Sequence, residues 1–429
     1  MRFGRWVSVL AVLVAYAFYG SHGTFTWPLG PWGQSYYANL AEGFLAGKLS
    51  MAAEPAAELT KLADPYDFAA RGDIPVLWDA SYFEGRYYLY FSPVPALLFY
   101  IPVRVITGAY PNDDCAATFF AAISFLFFAG VVWRTRWSWL WILVIGVGNV
   151  VPYVIVGVLF YQVAVACAMA FTAAWAFSVV RFLDGNGRWA IPMGIFLGMA
   201  IATRPNLIVL LLVQGLILVK HRNAILKVLA PLAVIACALM AYNYARFRDP
   251  LEFGVTYQMA RVPMQGRAIC GVCGPGEVPR LINHASHYVF WPLLFHGEFP
   301  WVWVQNNRLD PAVTYPGSPE PIAGMAPVTP LAIVGTGFAL LLTRERRGRS
   351  LVLAGWIVLL ALSSCWWVTA RYTLDFLGLI LSGAILCIDD ALIFFNERRA
   401  LRWACALLAL YSIVLGLLLP WSLGARFMP

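Results

Sequence analysis

Residues 116–133 read AATFFAAISFLFFAGVVW, eighteen positions without a charge, closed at one end by Trp133 and the arginines Arg134 and Arg136. Such a run is too long and too apolar for the face of a globular helix, and about 20 apolar residues are what a helix needs to cross the hydrocarbon of a bilayer. Trp6–Tyr19 repeats the pattern, and Ile225–Met240 carries only Lys227. Across 429 residues, hydrophobic side chains make up 61% and charged ones 12%, and the mean hydropathy is +0.70. A soluble enzyme carries about a quarter charged residues, so the composition excludes one. Eighteen Trp and twenty Tyr gather towards the ends of these runs, as interfacial belts do.

The net charge of +8 does not point to nucleic acid, because Lys and Arg sit mainly in short connections between apolar runs and no nucleic-acid-reading motif accompanies them. Their placement predicts a topology instead. Arg134 with Arg136, Arg181 with Arg188, Lys220 with Arg222 and Lys227, the four arginines of 344–349, and Arg398, Arg399 and Arg402 mark cytoplasmic loops. Arg2 and Arg5 place the N-terminus on the same side, although the run after them also has the look of a signal peptide. The predicted spans are 6–21, 115–133, 137–157, 161–182, 189–204, 207–220, 225–247, 327–343, 350–367, 372–388 and 402–423. Residues 23–92 and 248–326 then form two outer loops, within blocks running 1–247, 248–326 and 327–429. Parity requires that 93–109, which hold Pro93, Pro95, Pro102 and Arg104, lie at the outer interface without crossing.

The expected fold is therefore an all-α polytopic membrane protein with about eleven transmembrane helices. One span, a long outer loop with a juxtamembrane helix, six further spans, a second outer loop and a final set of spans resembles the GT-C glycosyltransferase fold. Three stretches carry the resemblance: Tyr36–Leu49, Trp78–Asp79 through Gly85–Ala96, and Gly194–Pro205 with its Thr203-Arg204-Pro205 ending. The chain is most similar to bacterial members related to protein mannosyltransferase and aminoarabinose transferase. The resemblance implies a multi-pass protein of the bacterial inner membrane that moves a sugar, with inversion, from a polyprenyl-phosphate carrier to a cell-envelope glycan, lipid or protein. Its partners would be that lipid-linked sugar, the acceptor and membrane lipids. One departure matters: Gln34 stands where the family has an acidic residue, which leaves open which carboxylate acts as base.

Sugar transfer from a lipid phosphate requires a carboxylate to accept the acceptor's proton and cations to hold the departing phosphate. Among the acids of the first loop, Asp79 stands between Trp78 and an aromatic string, where loss of solvent raises basicity, and Asp64 is the next candidate. Each also has an ordinary reading as a solvated loop acid. Arg204 and Arg371, at the outer ends of spans, are the expected phosphate cations, with Tyr372 beside the second and Arg86 and Tyr87 as a further donor cluster. Asp375, about one helical turn beyond Arg371, is its expected neutralising partner if the arginine is structural. In the second loop, Arg246 and Arg248 at a helix end are phosphate or lipid candidates. His284 and His287, with His296 and Glu298, are weighed as a site for a divalent cation. Cys270 and Cys273 suggest a short disulfide on an oxidising side, and the other six cysteines read as small apolar residues.

A transporter or a non-catalytic scaffold is the alternative. A transporter places ionisable residues in mid-span beside broken helices, whereas these span centres are nearly free of charge.

Overall fold

The computed structural model describes residues 2–261, 264, 277–307, 320–365, 367–396 and 398–426. It is 68% helix and 5% strand, and six of its helices are long and apolar enough to cross a membrane. Those six are Phe3–Gly20, Asp113–Val132, Phe160–Leu183, Arg222–Phe247, Leu377–Phe394 and Arg399–Gly424. The chain is thus an all-α protein of membrane character.

The bundle helices are α1 (Arg2–Gly20), α2 (Asp113–Val132), α3 (Ser138–Val147), α4 (Phe160–Leu183), α5 (Ala190–Thr203), α6 (Leu210–Lys220), α7 (Ile225–Phe247), α8 (Pro330–Leu341), α9 (Arg346–Ser363), α10 (Leu377–Phe394) and α11 (Arg399–Leu418). Side-chain contacts give their directions. Arg5 donates to Ser138 and Tyr16 to the Gly146 carbonyl, so α1 and α3 run together, while Trp6 meets Trp133 and Gly20 abuts Thr118, so α2 runs back. Phe177 packs on Trp189, which sets α4 against α5, and Gly348 and Gly355 approach Cys387 and Ile380, which sets α9 against α10. Gly383 also faces Gly348, where a Cβ on either would strike the other's backbone, so small residues let these two helices close. The Tyr19 hydroxyl reaches the Leu417 carbonyl and aligns α11 with α1.

As a result, the long segments 21–112 and 248–329 both leave the same end of the bundle, and the arginine clusters lie at the other. There Arg347 bridges Asp184 at 2.7 Å and Glu345 at 2.6 Å, tying α4 to the start of α9. The proline-rich stretch after Ser92 forms a helix over Ala96–Thr107, one of the shorter apolar helices. Its flanks return to the loop end, where Leu29 and Gly30 pair with Pro111 and Tyr110.

α4 is buried on nearly every side, its alanines admitting α2 and α5 at close range, whereas α7 presents most of its apolar surface outward. At the loop end a hairpin, β1 (Ser81–Phe83) and β2 (Arg86–Tyr88), is joined by Glu84 and Gly85, both at positive φ (47° and 72°). That is the geometry of a tight two-residue turn matched to strand twist. Gly254, at φ +97°, lies against this hairpin; a Cβ there would meet Ser81 Oγ at 2.6 Å and the Phe247 ring at 2.7 Å. The second long segment is in this way seated on the first.

Candidate functional site

A cavity of about 1210 Å³ opens at the loop end, between the N-terminus of α4, the C-termini of α5 and α9, the turn before α10, and both long segments. Its polar lining includes Asp79, Tyr161, Arg204, Asn206, Gln258, Arg261, Glu320, Arg371 and Tyr372, and Trp78, Phe91, Phe253, Leu362 and Trp367 supply apolar walls. Four residues singled out from the sequence, Asp79, Arg204, Arg371 and Tyr372, are brought together here from parts of the chain nearly 300 positions apart.

Local chemistry explains each placement. Arg204 precedes Pro205, and a residue before proline is pushed out of helical geometry; Arg204 takes φ −138° and ψ 101°, ending α5 and turning its side chain inward. Thr369 is extended, and the following 3-10 turn Ala370–Asp375 carries Arg371 and Tyr372 to the cavity. Asp79 sits at φ 61°, a left-handed conformation that aspartate tolerates better than most residues. Its amide donates to the Met259 carbonyl at 3.2 Å, and the Met259 amide to the Ala80 carbonyl at 2.9 Å, so the two long segments clamp one another at this point.

The Asp79 carboxylate accepts hydrogen bonds from the Tyr161 hydroxyl and, at 3.0 Å, from Gln258 Nε2. Burial raises its pKa above the ordinary carboxylate value, opposed by those two hydrogen bonds and by the Arg371 charge. A carboxylate that has lost solvent yet stays accessible from a cavity is a general-base geometry. Arg371 lies between two rings, 5.0 Å from the Tyr161 centroid and 5.4 Å from that of Tyr372, and grips Glu320 with both Nη atoms at 2.6 and 2.9 Å. Its Nε is buried and finds no acceptor among the described residues. Tyr161 therefore touches both the acid and the cation.

Arg204 is arranged differently. Its Nη2 lies 2.9 Å from Asp375 Oδ2, Asn206 donates to the same oxygen at 3.2 Å, and Asp375 is closed off from solvent. The expectation that Asp375 neutralises Arg371 is thus corrected: the turn is 3-10, in which positions three apart eclipse. Asp375 therefore lies below Tyr372, not below Arg371, and faces Arg204.

Several other expectations are corrected. Asp64 is exposed and outside the cavity, where its carboxylate accepts the Tyr66 amide at 2.9 Å as a local turn cap. Arg86, opposite Phe83 in the hairpin, points to solvent, and Tyr87, one residue on, is buried against Tyr82 outside the cavity. Arg246 is buried and structural, donating to the Leu89 carbonyl at 2.8 Å and to Asn243 at 2.7 Å, with the Tyr242 ring 4.0 Å away. Arg248 is exposed, 3.8 Å from Glu84. His284 and His287 are buried in the helix Glu277–Phe290; His287 Nδ1 contacts the Asn283 carbonyl and its ring stacks on Trp291, while burial pushes the His284 imidazole down to about 4. Among the described residues, no three His, Cys, Asp or Glu side chains gather to hold a metal. Cys270 and Cys273 lie outside the described residues. Cys365, read from sequence as apolar filler, is disulfide-bonded and lines the cavity.

Sequence reasoning missed Tyr161, Gln258, Arg261 and Glu320. Phe160-Tyr161-Gln162 at a helix start was the one available signal for the first; the others lie in the second long segment without a motif.

Compared with protein-family models, curated proteins and solved structures, the chain matches none.

Proposed function

We propose that the protein is a polyprenyl-phosphate-sugar-dependent glycosyltransferase of GT-C type, with about eleven spans in a bacterial inner membrane, its N-terminus cytoplasmic and its cavity at the outer face. The carrying observation is the joint exposure of Asp79 and Arg371 to one cavity, linked through Tyr161.

In this reading the sugar enters between Asp79 and Arg371 while its isoprenoid tail lies along apolar helix surface. The acceptor hydroxyl gives its proton to Asp79 as its oxygen attacks the anomeric carbon, and the bond from that carbon to the phosphate oxygen breaks. Arg371 takes up the negative charge developing on the departing polyprenyl phosphate. The acceptor is a cell-envelope glycan, lipid or protein. The charge pattern supports an enzyme over a transporter, because the cavity's charges lie at helix ends.

The test is release of polyprenyl phosphate by purified protein supplied with polyprenyl-phosphate-linked hexoses and pentoses and an envelope extract as acceptor. Asp79→Asn should lower turnover by a factor of about 10²–10⁴, the usual range for a lost general base. Turnover unchanged in Asp79→Asn, or none with any donor, would overturn the reading.

A further inference from the structure

Two cations face the cavity with carboxylate partners, and the partners are held very differently. Asp375 is buried behind Arg204, fixed by a second donor, and does not line the cavity. Glu320 lines it, with its side chain 25% exposed, and no other donor to its carboxylate is seen among the described residues. It stands beside a short ladder in which Gln305–Asn306 pairs with Pro321–Ile322, held there by its own carbonyl, which accepts the Asn307 amide at 2.8 Å. Its side chain can turn away without unfolding that ladder.

The contact itself resembles a ligand contact. Glu320 engages both Nη atoms of Arg371, the planar fork that serves carboxylate and phosphate alike. We infer that the Glu320 carboxylate occupies on Arg371 the place of a phosphodiester, and is displaced when a lipid-linked phosphodiester binds. The inference rests on reading Arg371 as the donor-phosphate cation. At Arg371 the exchange is one negative charge for one when the ligand is a singly charged phosphodiester, whereas a diphosphate brings an added charge that would fall to Arg204 or Arg261 in the same lining. Glu320 is in this way a specificity-determining residue. It lowers affinity for every anion by competing for Arg371, so that a ligand displaces it only with the help of contacts beyond its phosphate, such as those of a lipid tail. It also prevents an uncompensated arginine from standing in a half-apolar cavity between turnovers.

The experiment is a titration of the full chain in neutral-detergent micelles with geranylgeranyl methyl phosphate, a singly charged phosphodiester, followed by the change in intrinsic tryptophan fluorescence, to which Trp78 and Trp367 in the cavity wall contribute. Geranylgeraniol, without the phosphate, reports tail binding alone. Glu320→Gln keeps the shape and a neutral hydrogen bond, and should tighten the phosphodiester at least tenfold while leaving geranylgeraniol unchanged. Arg371→Gln should weaken the phosphodiester at least tenfold, and Glu320→Gln combined with Arg371→Gln should match Arg371→Gln alone. Equal or weaker phosphodiester binding in Glu320→Gln, a gain that survives loss of Arg371, or no phosphodiester binding in either protein overturns the inference. A Glu320→Gln gain in a protein that releases no polyprenyl phosphate from any sugar donor leaves the exchange standing and removes the transferase reading.

Discussion

Arg204 and Arg371 lie at the same end of the bundle, share the Tyr372 ring between them, and each has one carboxylate, yet one pair is closed and the other open. Arg204 and Asp375 come from the first residue past α5 and the turn before α10, so their bond joins two parts of the helical frame. Arg371 and Glu320 join that frame to the second long segment, and both are partly exposed to the cavity. The same residue types thus do two jobs, and what separates them is what surrounds the carboxylate. Where it is enclosed and held twice, the pair is structure. Where it is held once and faces empty volume, the pair is exchangeable.

The strongest way to break this distinction is stability. Asp375→Asn leaves Arg204 charged and buried without its counter-ion, and unfolding in detergent should show a loss of about 3–5 kcal/mol. Glu320→Gln should cost clearly less than that, because Arg371 and Glu320 keep 18% and 25% of their side chains open to the cavity, whereas Asp375 is fully enclosed. Equal losses in the two variants would erase the difference between the pairs.

A smaller effect sharpens the role of Tyr161. Its hydroxyl donates to Asp79 and so favours the ionised carboxylate, against the burial that raises the pKa. Tyr161→Phe removes that donor, and the pKa of Asp79 rises further. In the proposed transfer Asp79 acts only when deprotonated, so the acid limb of the pH–rate profile should move to higher pH, with turnover recovering as pH is raised. A loss that is the same at every pH would assign Tyr161 to packing alone.

The smallest effects are expected outside the cavity. Asp64→Asn and Arg86→Gln, both at exposed positions, should leave turnover within about twofold of the parent in the release assay.

The contrast also shows what is legible in sequence. Charge-free runs and arginine clusters are long-range patterns, and they suffice for an all-α membrane protein; the alternating helices of the bundle follow the same pattern. Arg204 was legible because Thr-Arg-Pro at a span end is a local backbone signal, and Asp79 because aromatics flank it. Asp64 and Arg86 rank behind them on the same grounds, but an aspartate two residues before Tyr66 caps its own turn, and a two-residue hairpin leaves Arg86 exposed. Glu320 and Gln258 could not be found, since their role exists only after the second long segment is laid across the first. An α-helical spacing pairs Asp375 with Arg371, but the chain makes a 3-10 turn there and Asp375 meets Arg204 instead.

Whether Arg371 and Asp79 receive the two ends of one reaction is tested most directly by a cryo-EM map of Asp79→Asn with a polyprenyl-phosphate-linked hexose. The expected map shows the phosphate on the Nη atoms of Arg371, Glu320 swung away, the Arg204–Asp375 pair unmoved, and the anomeric carbon facing position 79. A phosphate resting on Arg86 or Arg248, or on the arginine clusters at the opposite end of the bundle, would contradict it.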